Sequence, residues 1–409
     1  MSVTMGQIKK KNIRILLTGG GSGGHVYPLL SVANSLRRIA ERENIKLELF
    51  YMGPADQFSD LLREAGISVK KIMGGKYRRY PSVANILSPF QFIIGVSQAL
   101  FKMLFHMPDV IFSKGGAGAF GTVLVGWFYR VPIVIHESDV VPGLNNAFSS
   151  LFARRVLVGF EKATERFNAS KVLFVGNPTR PLKSIHMSSE DAKDKLGCNP
   201  QKPVTLVING SQGARRINDF FLSYIGELSE KTQVILQTGR ANFEEVKRLA
   251  AAVSPKGSVL SAKPEMSEAE LHHKMESPDF LNQKQEKSFQ ITPYLDEDFE
   301  IAMAAADLVV GRAGSGSIAT VAAFGKPAIF IPLPESANDH QRQNAYEYAK
   351  TGAALVVEET NLIPSIFLGQ LKDVIEHSEK RAAMALAASK FQKNDAADKI
   401  GEEIFRVLL

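Results

Sequence analysis

The run IRILLTGGGSGGH (Ile13 to His25) and the run VTLVINGSQGARR (Val204 to Arg216) share one build: a short apolar stretch, a glycine-rich turn and the start of a helical pattern. A buried strand of this kind ends where glycine lets the backbone turn sharply. The free N–H groups of the next helix then point past the edge of the sheet. Each run therefore reads as an anion seat. Two such seats far apart in one chain predict two nucleotide-type α/β domains facing each other across a cleft.

The rest of the chain is read outward from these runs. Strand-like segments recur as IRILLT, KLELFYMG, SVKKIM, PDVIFSKGG, VPIVIHES, RRVLVGF and KVLFVGNP. After a polar, proline-bearing stretch from Asn177 to Pro203 they resume as VTLVING, TQVILQTG, FQITPYL, ADLVVGRAG, KPAIFIPLP and GAALVVEE. Short β-rich runs alternating with helical ones predict parallel sheets with helices on both faces. With 409 residues the chain exceeds one compact core. The reading is a domain over 1–180, a second over 181–393, and a final helix near 394–409 that packs back on the first. Residues 249–288 are polar, break the strand rhythm and read as an exposed insertion.

Composition narrows the function. Hydrophobic residues make up 45% and charged residues 22%, which suits a globular chain with sizeable cores and excludes disorder. The single cysteine, Cys198, excludes a disulfide framework and a cysteine-rich metal site. The opening MSVTMGQIKKKNIR lacks the long apolar segment of a signal peptide, so the protein is expected to stay in the cytoplasm. A net charge of +7 and a pI near 9.2 favour anionic partners. The positive charge is dispersed and no nucleic-acid-binding signature appears, so nucleic acid is not expected.

The glycine motifs have look-alikes. Gly19, Gly21 and Gly24 satisfy G-x-G-x-x-G. A dinucleotide site, however, wants an acidic residue at the tip of the second strand, and that strand ends FYMG. Ser22 among its glycines imitates a nucleophile elbow with no Asp and His to complete it. A P-loop would need a Gly-Lys-Ser/Thr ending. Glycines that merely tighten turns would explain one loop. Further glycine turns at Ser113–Gly118, Gly176–Arg180 and Gly311–Ser317 would all collect on the same strand-end edges.

In order, TGGGSGGHVYPLLSVANSL, GGAGAFG, GNPTR, NGSQGARRIN, GRAGSGSIATVAAFGKPAIFIP and DHQRQNA (Asp339 to Ala345) resemble the family of MurG-type glycosyltransferases, from about Ile13 to Glu358 apart from the polar insertion. The resemblance implies the GT-B fold, two Rossmann-like doubly wound domains. It also implies transfer of N-acetylglucosamine from UDP-N-acetylglucosamine to lipid I, giving lipid II, by an inverting mechanism without cofactor or metal. Glycine loops and helix N-termini suit that chemistry, because a departing diphosphate can be stabilised by backbone dipoles.

By the same resemblance the second domain holds the donor. Ser211, Gln212 and Gly213 lie by the sugar and phosphates, Arg312 and Ser315 by the diphosphate, Tyr294 and Leu295 by the uracil, and Gln341 and Asn344 at the sugar hydroxyls. Arg180 is a diphosphate contact, and Asn146 is counted with the donor residues. Gly21, Ser22, Gly23, Gly24 and Gly116 meet the acceptor diphosphate, and Ser22, Gly23 and Gly24 are counted on the donor side too. His25 and Glu137 are the titratable groups that could accept the acceptor hydroxyl's proton, with His136 orienting the loop. A surface ion pair is the plainer reading of Arg312, and a helix-start hydrogen bond that of His25.

Three positions depart from the family pattern: Asp139 replaces an Asn, Ala117 a Tyr, and Thr320, eight residues after Arg312, a ribose-binding Glu. A neutral hydroxyl there offers roughly 0.5–1.5 kcal/mol against about 1.5–3 for a charged partner. The alternatives carried are another GT-B enzyme, such as a UDP-sugar 2-epimerase or a glycolipid transferase, and a nucleotide-sugar-binding protein without catalysis.

A lipid-linked acceptor asks for a membrane-facing surface. Lys76, Arg78 and Arg79 precede NILSPFQFIIGVSQALFKMLF, which Pro89, Gln91, Gln98 and Lys102 interrupt too often for a spanning helix. Gln91, Gly95, Gln98 and Lys102 recur at helical spacing as a narrow polar stripe. Two readings stay open: an internal helix, or an interfacial one in which Ile86, Leu87, Phe90 and Phe92 enter lipid while the basic residues meet anionic headgroups. The second implies a peripheral protein on the cytoplasmic face of the cell membrane.

Overall fold

The computed structural model describes residues 12–54, 58–74, 83–116, 118–179, 187–210, 213–253, 258–259, 288–295 and 298–409. They form two compact units. The first comprises residues up to 181 with 337–344 and 392–409, and the second comprises 182–336 with 345–391.

In the first unit, β1 (Asn12–Thr18), β2 (Lys46–Gly53), β3 (Ser68–Lys71), β4 (Val110–Ser113), β5 (Ile133–Glu137), β6 (Arg155–Val158) and β7 (Val172–Phe174) lie in the order β3-β2-β1-β4-β5-β6-β7. Every pairing is parallel. The chain therefore runs outward in one direction from β1 and in the other from β4. The loops leaving these two neighbours separate at a topological switch point, where open α/β sheets bind ligands. Thr18 pairs with Ser113, so the turns after β1 and β4 start level with each other. The helices are α1 (Gly23–Arg42), α2 (Ser59–Glu64), α3 (Val83–His106), α4 (Ala119–Phe128) and α5 (Leu144–Phe152). The last helix, Ala396–Arg406, packs on α1, and Ile400, Ile404 and Phe405 enter the core built around Ile15, Leu17, Val26 and Leu29. Its Gly401 makes the approach possible, since a Cβ there would meet Ile39 Cδ1 and Ser35 Oγ at 2.9 Å. Ser35 in turn donates to Asp398 Oδ1 at 2.6 Å.

The second unit repeats the plan. Strands β8 (Val204–Ile208), β9 (Gln233–Gln237), β10 (Ser258–Val259), β11 (Phe289–Thr292), β12 (Leu308–Gly311), β13 (Ala328–Phe330) and β14 (Ala354–Val356) run in the order β10-β11-β9-β8-β12-β13-β14, all parallel. Its switch point lies between β8 and β12. Helices α6 (Ser189–Lys195), α7 (Arg215–Ser223), α8 (Ile225–Lys231) and α9 (Phe243–Val253) precede further helices at Phe299–Ala305, Ser315–Ala323, His340–Ala349, Pro364–Glu376 and Ser378–Phe391. Phe220 and Phe221 of α7 meet Phe367 edge-on at 5.1 and 5.5 Å, tying the helix after the glycine turn to the core.

The apolar runs in this half of the chain predict six strands. The structure adds β10, a two-residue strand on the sheet's outer edge, within the stretch read as a polar insertion. Helix α9 also runs to Val253, past the expected start of that insertion. Most of the remainder, 254–257 and 260–287, lies outside the described residues.

Replacing Phe405, fully buried where the last helix meets the first core, is expected to be costly. Phe405→Ala should lower unfolding free energy by about 3–5 kcal/mol, measured by urea denaturation.

Candidate functional site

In the first unit, the turns after β1 and β4 come together through their glycines. Gly116 has φ +87°, and a Cβ on it would stand 2.8 Å from His25 Nε2 and 2.9 Å from Gly20 Cα. No larger residue fits there without moving the His25 ring or the first glycine turn. His25 sits in the first turn of α1 with Nδ1 2.7 Å from Ser22 Oγ. Its pKa is lowered from 6.5 to about 4, first by burial and then by the charge of Lys114, with Asp139 acting in the opposite sense. The imidazole is therefore uncharged at neutral pH, the form able to take up a proton. Tyr51, near the end of β2, supports the turn: its buried hydroxyl lies 2.8 Å from the Gly19 carbonyl oxygen.

The other candidate base has a different job. Glu137 ends β5 in a buried position, and its Oε1 accepts from the Asp139 N–H at 2.9 Å. Its Oε2 accepts from the Gly143 N–H and from Asn146 Nδ2, both at 3.0 Å. Burial and the neighbouring Asp139 charge raise its pKa, and the bonds from the Asp139 N–H and Asn146 and the charge of Lys114 oppose the rise. The carboxylate stitches loop 138–143 to the strand end, and meeting a substrate hydroxyl would require releasing that loop. Asn146, counted among donor residues by resemblance, is committed in the same way, donating also to the His136 carbonyl at 3.1 Å. Asp139 accepts from Asn344 Nδ2 at 2.7 Å, and the Val140 N–H donates to Asn344 Oδ1 at 2.9 Å. Asn344 thus holds this loop, in a segment, 337–344, grouped with the first unit. Gln341 lies one turn earlier on the same helix, on the face of Asn344.

Beneath both turns lies Lys114, which the sequence reading quoted within a glycine turn without giving it a role. It is only 3% exposed. Its Nζ donates to His136 Nδ1 at 2.8 Å and to Ser138 Oγ. An ammonium only donates, so His136 Nδ1 accepts and its Nε2–H donates to the Gly176 carbonyl at 2.9 Å. His136 is thereby a neutral, fully engaged side chain.

In the second unit the turn after β8 lies equally tight. Gly213 has φ +78°, and a Cβ there would collide with Asn242 Nδ2 and the Thr238 carbonyl. The turn after β12 carries Arg312 and leads into the Ser315–Ala323 helix, whose first-turn N–H groups have no partner within the helix. Arg312 is no surface ion pair. At 15% side-chain exposure it donates through Nη1 to the Ile331 carbonyl at 3.1 Å and the Pro332 carbonyl at 3.3 Å, and its Nη2 forms an ion pair with Glu359. Glu359, its side chain 4% exposed, also pairs with Arg216, so two guanidinium groups converge on one carboxylate. Arg216 also reaches Glu335 at 3.1 Å. Arg216 closes the second glycine run without a role assigned to it, and Glu359, one glutamate in an ordinary polar turn, gives no signal until the fold brings it to Arg312.

Thr320 donates its hydroxyl to the Gly316 carbonyl at 2.8 Å within its own helix. Only its lone pairs remain for a ribose hydroxyl, so it can accept but not donate. Tyr294 lies under the Arg240 guanidinium at 5.3 Å from the ring centroid. The Leu295 side chain belongs to the core, and its N–H donates to Gln237 Oε1 at 3.1 Å. Ala117, Arg180, Ser211 and Gln212 lie outside the described residues.

The first unit also carries an apolar ridge. Helix α3 is continuous through Pro89, and its polar stripe faces inward. Gln98 Oε1 accepts from the Met73 N–H at 2.8 Å, Lys102 donates to the Lys71 carbonyl, and Gly95 lets the helix close on Met73. Its apolar side is consequently turned outward, with Phe90 64%, Phe101 67% and Phe105 76% exposed. Phe92, expected to face lipid, instead stacks on Phe120 of α4 at 6.1 Å. Exposed Trp127 and Phe128 of α4 and Leu144, Phe148 and Leu151 of α5 extend the apolar surface, joined by ring contacts through Phe120 and Phe152. Lys76, Arg78 and Arg79 lie outside the described residues, as do the side chains of Ile86 and Leu87. Among the described residues no helix is long and apolar enough to cross a membrane.

Two parallel sheets, each with a glycine-bearing turn at its switch point, are the build of the GT-B class of glycosyltransferase fold. Residues 15–158 match the N-terminal domain of glycosyltransferase family 28, and residues 204–275 and 258–400 match its C-terminal domain. The chain belongs to glycosyltransferase family 28, and it is an enzyme of that class. It is 30% identical over 390 residues, 95% of this chain and 98% of the relative, to the UDP-N-acetylglucosamine--N-acetylmuramyl-(pentapeptide) pyrophosphoryl-undecaprenol N-acetylglucosamine transferase of Halalkalibacterium halodurans. A Bacillus cytotoxicus protein of the same name is 30% identical over 392 residues, again 95% of this chain and 98% of the relative. Among solved structures, Acinetobacter baumannii MurG matches with TM-score 0.68 at 22% identity over 96% of this chain and 99% of that one. A UDP-GlcNAc 2-epimerase from Neisseria meningitidis, bound to UDP-GlcNAc, has the same fold, with TM-score 0.62 at 13% identity over 96% of this chain and 100% of that one.

Gly116→Ala forces a side chain onto His25. Transfer activity should fall by at least about tenfold, a loss of the size expected when a catalytic group is misplaced, while circular dichroism still reports a folded protein.

Proposed function

We propose that this enzyme transfers N-acetylglucosamine from UDP-N-acetylglucosamine to the muramoyl sugar of lipid I, giving lipid II. The names of its 30%-identical relatives supply the substrates. The observation that carries the chemistry is an uncharged imidazole, His25, held at the switch point of one sheet, with a pair of arginines, Arg312 and Arg216, beside the switch point of the other. The unit of residues 1–180 takes the acceptor and that of 181–393 takes the donor.

In the inverting reading, a muramoyl hydroxyl attacks the anomeric carbon as the bond to the UDP oxygen breaks. His25 takes the hydroxyl's proton. Glu137 and Asn344 keep loop 138–143 in place, and Gly21, Ser22, Gly23, Gly24 and Gly116 leave backbone room for the acceptor's diphosphate. On the donor side the negative charge that develops on the leaving UDP meets Arg312 and the N-terminal turn at Ser315, which stabilise it where it forms. The Ser211–Gly213 loop and Arg180 add donor contacts, Tyr294 and Leu295 flank the uracil, and Thr320 accepts from the ribose. Gln341 reaches the donor sugar.

The acceptor's lipid brings the enzyme to the membrane. The apolar ridge of α3, α4 and α5 suits a peripheral seat on the cytoplasmic face, with rings such as Phe101, Phe105 and Trp127 entering the headgroup boundary. Lys76, Arg78 and Arg79 would supply the attraction to anionic headgroups. An exposed aromatic surface of this extent is otherwise rare on a monomer.

Release of UDP measured with and without a lipid I analogue tests the activity. Acceptor-stimulated release is expected; interconversion of the donor sugar would make the chain an epimerase, and binding without release a sensor. His25→Ala should cut turnover by about 10²–10⁴-fold, and Arg312→Ala should weaken UDP binding in calorimetry by about tenfold or more. Near-normal values for both would remove these residues from the mechanism. The double variant Phe101→Ser/Phe105→Ser should float with anionic liposomes far less than wild type while keeping UDP affinity; equal flotation would discard the ridge as the membrane seat.

A further inference from the structure

A buried lysine beneath the acceptor-side loops has no part in the chemistry just described. Lys114 follows β4 and directly precedes the Gly115–Gly116 turn that crosses His25. It is close to His25 itself: a Cβ built on Gly19 would lie 3.5 Å from both the His25 Cβ and the Lys114 Cβ. Its two hydrogen bonds run to His136 and Ser138, either side of Glu137. One ammonium thus touches the end of β5 and the start of loop 138–143, next to the turn after β1.

We propose that Lys114 is a positioning residue for the transfer reaction, pinning His136 and Ser138 so that loop 138–143 and the Gly115–Gly116 turn frame His25. The proposal rests on the reading of His25 as proton acceptor. A lysine so enclosed is retained at a desolvation cost that an apolar side chain would avoid. Its charge is balanced by the carboxylates of Glu137 and Asp139, which oppose the lowering of its own pKa to about 8 by burial. The charged groups facing His25 are Lys114 from β4 and Asp139 from beyond β5, and they act on it in opposite senses.

The sign of the effect follows. Lys114 holds His25 below the ordinary 6.5, so removing the ammonium lets the imidazole protonate at higher pH. Asp139 favours the protonated ring, so removing its charge shifts His25 further down.

The test is an NMR titration of His25 in the full chain without substrates, its signal assigned by loss in a His25→Asn variant, together with the pH profile of kcat. In Lys114→Met the His25 midpoint should move up toward 6.5 and the acid limb of kcat should move with it, leaving the KM for UDP-N-acetylglucosamine unchanged. Lys114→Gln keeps a donor for His136 without the charge and should show the same shift, which keeps the test open if the methionine variant does not fold. Asp139→Asn should move the midpoint the other way. A His25 midpoint that stays put in a folded Lys114 variant overturns the proposal. A midpoint that moves while the acid limb does not would leave the Lys114–His25 coupling standing and remove His25 as the proton acceptor.

Discussion

The first site depends on how closely two turns of backbone approach at one edge of a parallel sheet. With a Cβ on Gly116 falling 2.9 Å from Gly20 Cα, no side chain fits between the two turns at that point. His25 is fixed because it fills the remaining space. The approach follows from the sheet: β1 and β4 are neighbours in register, Thr18 against Ser113, and each chain must leave at the same level in opposite directions. Glycine is the residue that permits this, and the helix N-terminus beyond it is the consequence.

Around that contact the buried polar groups form one connected set. Lys114 holds His136 and Ser138, Glu137 holds the loop from Asp139 to Gly143, and Asn344 holds Asp139 and Val140. In a medium of low effective dielectric each member is stabilised only by the others, so a half-satisfied version would cost more than an apolar core. Such a set suits a catalytic loop. It keeps the surroundings of His25 fixed while the Glu137 carboxylate stays buried.

The second unit meets the same requirement with different parts. Two arginines converge on Glu359, which fixes Arg312 beside the helix N-terminus that follows β12. A guanidinium stays charged at any working pH, which suits the leaving diphosphate proposed above, whereas the imidazole of His25 is a group that can change its charge. The apolar ridge adds a third element. Because α3 turns its polar stripe toward Met73 and Lys71, Phe90, Phe101 and Phe105 are left on its outer face.

Much of the fold was legible in the residues alone. Apolar runs such as Ile13–Leu17 and Val204–Ile208 can only be strands buried on both faces, and the glycines after them can only be sharp turns, because both signals are local. They were enough to give two parallel α/β units and, with the ordered motifs, the family. What the sequence could not carry is every relation set by distance in space. Lys114 and His25 are far apart in the chain, as are Glu359 and Arg312, and neither spacing nor composition marks them as partners. The inward turn of the α3 stripe, the placement of Phe92 on Phe120 and the engagement of Glu137 with its own loop were likewise decided by packing. Local periodicity says which side chains share a face, but only the assembled sheet and helices determine what that face meets.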